Sequence, residues 1–374
     1  MMAKTMVADW PDGIDMEALL APIPGDVPTG ADLREDFSPQ SFYLRLRDAR
    51  SEARAAERAA DANPGEDSAL PPQWRTVREL SLQALATKTK DLEFASWLTE
   101  ALVRSDGLRG LAAGAHLIGG LASAYWDGLY LTPDEDGIAT RVAPVAELNG
   151  EGGGGTLIQP LRKLPLFSRA NGTMLAYWQY EQAEELKGIA DPARVKQRLA
   201  AGVLPLDDLE NEARAAGQAR FAAIRASARL AGREWAAMSA VLDAKAGQDG
   251  PPTSHVRDLV TKVADTVSRY APPDAADDVP EEAAADSVAE DGAGPASGIR
   301  PARATVSRED MLKELSRIAE YFKKTEPQSP LAYTLDEVVR RGRLSWPELL
   351  SEVISDVAAR DKVLTQLGIR PPQE

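Results

Sequence analysis

The chain holds two histidines, His116 and His255, and no cysteine, which leaves few residues from which to build a catalytic centre. Without cysteine there are no disulfides, thiolate nucleophiles, iron–sulfur clusters or thiolate zinc sites. His116 lies inside the glycine-rich apolar run from Gly110 to Trp126, and a histidine in such a setting reads as a satisfied core residue. His255 stands at the start of a later helical stretch, in a different region, and no motif surrounds either ring. Acid pairs such as Glu184-Glu185 are abundant, but adjacent helical residues point about 100° apart and do not converge on one proton. Residues 149–156, Asn-Gly-Glu-Gly-Gly-Gly-Gly-Thr, invite a phosphate-loop reading. That reading needs Lys-Ser/Thr directly after the glycines, on a helix that follows a strand. Here Leu157 and Ile158 follow Thr156, so a flexible joint is the expectation. These residues predict no catalytic, metal or cofactor site and a protein that is not an enzyme.

What must then be positioned is surface rather than chemistry. Lys plus Arg number 43 against 58 Asp plus Glu in 374 residues, a formal charge of −15 that argues against a nucleic-acid partner. A hydrophobic fraction of 44% supplies ample core, and the length suits two or three domains. Asp9, Asp12, Asp15 and Glu17 interrupt the first twenty residues, so no secretion signal is expected. Gly110–Trp126 is shorter than the roughly 20 residues a spanning helix needs, so it reads as a buried, closely packed helix. A cytoplasmic protein with no membrane insertion is the expectation.

The spacing predicts an all-α, multi-domain chain. Turn residues crowd the segment up to Arg34, and helix formers fill Phe42–Ala60. Trp74, Val77, Leu80 and Ala84 share one helical face. Asp91 is placed to cap a helix lined by Leu92, Ala95, Leu98 and Leu102, which Gly107 separates from the glycine-rich helix. Residues 1–155 form a first helical domain. Residues 156–270 form a helical middle region, with Asp191-Pro192 as a helix start and a last helix from His255 to Tyr270. Residues 271–304 read as a disordered acidic linker: eight acidic and no basic residues lie between Ala271 and Ile299. Residues 305–374 form a small helical domain with the stripe Met311, Leu315, Ile318 and Phe322, stopped by Pro327 and Pro330. A module of that size is marginal alone and is expected to self-associate.

The N-terminal residues carry a resemblance. The stretch from Leu20 to Leu33 with Pro28 and Gly30, then Trp74-Arg-Thr-Val, then Lys88-Thr-Lys90-Asp91-Leu92, resembles the ImpA N-terminal domain of the TssA family of type VI secretion. Gly107-Leu-Arg-Gly110-Leu, Tyr125-Trp126-Asp127-Gly-Leu-Tyr and the stretch Arg141–Leu148 follow in the same order. The C-terminal module, with Tyr321-Phe322, Glu326-Pro327-Gln-Ser329-Pro330 and Trp346, resembles the terminal domain of the short TssA class. The resemblance implies a non-enzymatic assembly protein, associated with the baseplate and with the end of the growing tube and sheath. It implies a homo-oligomeric ring organised by the C-terminal residues, with N-terminal domains on flexible arms. Baseplate, tube and sheath proteins, and the membrane complex, are its implied partners. A generic helical adaptor unrelated to secretion is the alternative.

Overall fold

Asp91 caps the helix that begins at Leu92, accepting hydrogen bonds from the backbone N–H groups of Glu93 (2.8 Å) and Phe94 (3.3 Å). The structure, a computed structural model, describes residues 10–62, 70–134, 137–150, 154–272, 316, 319, 323, 330–343 and 352. The linker expected beyond Pro272 and most of the C-terminal module lie outside these residues, as do Tyr321, Phe322, Glu326, Pro327, Ser329 and Trp346.

The helices are α1 (Met16–Leu20), α2 (Phe42–Ala62), α3 (Gln73–Thr87), α4 (Leu92–Tyr125), α5 (Ile138–Asn149) and α6 (Ile158–Arg162). After a hairpin of β1 (Pro165–Ser168) and β2 (Met174–Ala176) come α7 (Tyr177–Lys187), α8 (Pro192–Ala200), α9 (Leu206–Ala216), α10 (Gln218–Ala246) and α11 (Ser254–Ser268). A further helix, α12, spans Pro330–Arg343. The fold is all-α, as the spacing predicts. The hairpin is an addition to the expected helical middle region, pairing Phe167 with Leu175 across a turn at Asn171-Gly172. An Asn-Gly pair between apolar residues is the short-range hairpin signal, here with a bulge between Pro165 and Phe167.

Contacts divide the chain into two compact units, Met1–Ala283 and Ala284–Glu374. In the first, one continuous core runs from Met16 to Val267. Gly107, at φ 59° and ψ −129°, breaks α4 into two segments, at the position where the spacing separates two helices. The second segment is buried over most of its length, including Gly110, Gly114 and Gly119. At Gly119 an added Cβ would come within 3.3 Å of the Cα of Met238, so the missing side chain lets α10 lie close along α4. Facing residues Ile118, Leu121, Ala231, Trp235 and Met238 are almost fully buried, and such packing supplies most of a helix's stability. Trp235 satisfies its indole N–H on the carbonyl of Thr253 at 2.9 Å. Asp191 caps α8 with Pro192 at its first position, and α11 buries Val256, Leu259, Val260, Val263 and Val267 on one face.

In the second unit, α12 begins at Pro330, where the fixed φ of proline suits a first helical turn. Sequence reading places Pro330 only as a stop and misses this helix. Leu335 and Val339 at i, i+4 were the available signal, and Val339 is buried. Tyr333 and Val338 are exposed.

Candidate interaction site

Three stretches far apart in sequence meet at the start of α4, and the signature residues Pro28, Gly30, Lys90, Asp91 and Leu92 gather there. The loop Lys88–Asp91 runs beside the stretch Pro28–Ala31: Lys90 N–H donates to the Thr29 carbonyl (2.8 Å) and Ala31 N–H to the Lys88 carbonyl (3.1 Å). On its other side Tyr130 N–H donates to the Lys90 carbonyl (3.1 Å) and Leu92 N–H to the Tyr130 carbonyl (2.7 Å). The result is a small extended clasp between helices, with bridges Gly30–Thr89 and Asp91–Tyr130. Pro28 is exposed and acts through its backbone, accepting from Ile23 N–H at 2.8 Å to close the turn that presents Gly30.

The clasp is electrostatically loaded. Arg34 donates to both carboxylate oxygens of Asp91 (2.6 and 3.2 Å), to Glu93 (2.5 Å) and to Asp32 (2.9 Å). The Asp91 side chain is fully buried, and it serves the helix cap and the ion pair at once. Burial works against the Arg34 charge, but Asp91 and Glu93 outweigh it and hold the guanidinium above its ordinary pKa. Burial also raises the Glu93 carboxyl, more than Arg34 lowers it. The guanidinium lies 5.1 Å from the centre of the Tyr43 ring.

Lys90 is fully buried and turns inward instead. Its ammonium donates to the carbonyls of Leu19 and Leu85, each at 2.7 Å, and has no carboxylate among its hydrogen-bond partners. Burial pushes its pKa down to about 8 from 10.5. The unfolded chain then binds more protons between those values, so stability rises with pH across that window and the full cost of burying the charge falls below it. Wild type is expected to gain about 3 kcal/mol relative to Lys90→Met between pH 7.5 and 10.5. Paired urea unfolding at each pH checks this; a constant difference would mean that Lys90 keeps an ordinary pKa.

The remaining signature residues are spread over the same core. Leu92 is buried at the head of α4, and Trp74 is buried on α3, where its indole N–H donates to Glu57 at 2.8 Å under the Arg104 guanidinium, 3.9 Å from the ring centre. Gly110 lies near the α4 break, where a Cβ would overlap the Leu102 carbonyl. Trp126 is half-buried and its carbonyl accepts from Arg141 at 2.6 Å, while Asp127 is exposed beside it. Arg141 also donates to the Leu131 carbonyl (2.9 Å), tying the third stretch to α5. Sequence reasoning missed Arg34, Glu93 and the ties made by Arg141. No spacing rule links Arg34 to a carboxylate 57 residues away, although Arg34 is the one cation within Asp32–Asp36.

His116 is corrected by the structure. Its side chain is 41% exposed, its ring centre lies 4.9 Å from that of Trp10 with the planes tilted by 40°, and it hydrogen-bonds Glu234 at 2.9 Å, so it is a surface tie and not a core residue. The helical position was read as interior because its neighbours are apolar; it falls on the face that the N-terminal segment only partly covers. His255 makes a different tie, with Nδ1 2.9 Å from the Gly150 carbonyl. Among the described residues no group of three or more acidic or histidine side chains is placed to hold a metal ion, and no helix is long and apolar enough to cross a membrane.

A family model described as "ImpA, N-terminal, type VI secretion system" matches residues 20–150, which include all three stretches. The chain is 28% identical over 361 residues to the type VI secretion system component TssA1 of Pseudomonas aeruginosa, covering 92% of this chain and 96% of that protein. Its fold is similar, at a TM-score of 0.55 and 27% identity, to the solved N-terminal domain, including the conserved ImpA_N region, of the type VI secretion TssA component from Burkholderia cenocepacia. That likeness covers 70% of this chain and 96% of the other.

Proposed function

We propose that this chain, as a member of the TssA family of type VI secretion components, is a non-enzymatic assembly protein of that contractile machine. The observation that carries the reading is extent: similarity to the Pseudomonas aeruginosa component spans 92% of the chain, far beyond the N-terminal domain. In this reading the protein works in the cytoplasm. The first unit is an arm that contacts baseplate, tube and sheath proteins. The clasp contributes by fixing the N-terminal stretch against the head of α4, so that the arm presents one surface. Residues 305–374, with Tyr321, Phe322, Glu326, Pro327, Ser329, Pro330 and Trp346, organise several copies into a ring, and the acid-rich stretch 271–304 joins arm to ring. Many arms on one ring raise effective concentration, so individually weak contacts sum to a firm grip on a growing polymer.

The test is copurification of the tagged full chain with the sheath, tube and baseplate proteins of its own secretion system. Recovery of baseplate or sheath components, lost with an arm-deleted chain, is the expected result. A chain that recovers none of them, and whose removal leaves sheath assembly intact in cells, would leave a generic helical adaptor in its place.

A further inference from the structure

A cleft of about 720 Å³ opens on the first unit between α2, the break in α4, α6 and α10, away from the clasp. It has the size of a site that takes a short peptide stretch or a drug-sized ligand. Its lining includes the apolar side chains of Leu164, Ile224 and the 45%-exposed Leu70. Its lining carries five basic side chains against three acidic ones, on a chain whose formal charge is −15. Most charges in the cleft are matched: Arg104 with Glu57, Lys163 with Asp61, and Asp106 with Arg78.

Arg54 and Arg58 differ. They line the cleft one helical turn apart on α2, and among the described residues neither side chain has an ion-pair or hydrogen-bond partner. Two like charges at i, i+4 repel, and Arg54 is half-buried as well, so an anion shared between them would relieve both costs. Thr156, also on the lining, has a buried hydroxyl with no partner among the described residues.

We propose that this cleft docks an acidic peptide segment of a partner protein, one in which carboxylates flank an apolar side chain. The carboxylates pair with Arg54 and Arg58, and the apolar group rests on Leu164 and Ile224. An inorganic anion would leave the apolar lining unused. A continuous phosphate backbone would meet Glu57, Asp61 and Asp106, which share the lining. A segment with spaced carboxylates avoids those acids while meeting the two cations that have no partner among the described residues. The site stands whether or not the chain assembles with a secretion machine.

The experiment is fluorescence anisotropy with the full chain and a labelled synthetic 12-residue peptide of alternating glutamate and leucine, beside the same peptide with glutamine for glutamate. The acidic peptide is expected to bind, to weaken as salt rises from 50 to 300 mM, and to lose about tenfold or more in affinity to R54E/R58E. Circular dichroism confirms that the variant is folded; R54Q/R58Q serves if it is not, with a smaller loss expected. Equal binding of both peptides, no binding at all, or unchanged affinity in a folded variant would overturn the proposal. So would tighter binding of a single-stranded oligonucleotide than of the peptide. Binding that appears only after residues 273–298 are deleted would assign the cleft to the chain's own acidic stretch and overturn the choice of a partner.

Discussion

Asp91→Ala is expected to destabilise the first unit by about 3–5 kcal/mol. Two losses combine. The first turn of α4 gives up a side chain that accepts from two backbone N–H groups, a cap worth about 1 kcal/mol. Arg34 also loses a bidentate partner whose carboxylate is completely buried, leaving a largely enclosed guanidinium held by Glu93 and Asp32 at the rim. Asp91→Asn keeps an acceptor for the cap and removes the charge, so it should fall between. Urea unfolding of the residue 1–272 fragment reads both, and a double cycle with Arg34→Met should return a coupling of about 1–3 kcal/mol. A loss under about 1 kcal/mol for Asp91→Ala would mean that the ion pair is no better than an exposed one.

Gly30→Val is the second large effect, expected at about 3 kcal/mol. Gly30 sits at φ 72°, where an L side chain is strained, and its added Cβ would overlap the Lys88 carbonyl. Relief by separation breaks the hydrogen bonds from Ala31 to Lys88 and from Lys90 to Thr29. Gly13 provides the control: its φ is 79° but nothing lies within 4 Å of an added Cβ. Gly13→Val therefore reports backbone strain alone, about 1 kcal/mol. Equal losses at the two glycines would show that the clasp contributes nothing beyond local conformation.

The parts of this fold that were readable from sequence are local. Asp91 before an apolar stripe, Gly107 between two stripes and Asp191-Pro192 each encode an element boundary within a few residues of chain. The structure uses all three as expected. The ion pair of Arg34 with Asp91 was not readable, because its partners are brought together only by the path of α2 and α3 between them. The inward turn of Lys90 was hidden for the same reason: a lysine between Thr89 and Asp91 looks like a solvated loop residue until Leu19 and Leu85 surround it. The hairpin at Asn171-Gly172 did carry a local signal, overshadowed by the helical composition around it. His116 shows the reverse error, since a stripe of apolar neighbours indicates a buried helix without saying which face stays open.

The signature motifs thus coincide with the residues that close the first unit on itself. Pro28, Gly30, Lys90 and Asp91 make intramolecular bonds, and Leu92, Trp74 and Gly110 are buried. Asp127 and Pro28 are the exposed members of the set, Pro28 acting through its backbone, and Trp126 is half-buried. A surface for partners must therefore lie on residues that the signature holds in place, more than on the signature itself.

The most direct test of the assembly reading is the solution mass of the full chain by light scattering, beside a fragment ending at Pro272. That fragment contains the continuous core from Met16 to Val267 and so retains the packing of the first unit. The reading predicts a large, defined oligomer for the full chain and a collapse to a small species for the fragment. A full chain that remains a monomer would contradict it, and a fragment that keeps the large assembly would move the organising surface into the first unit.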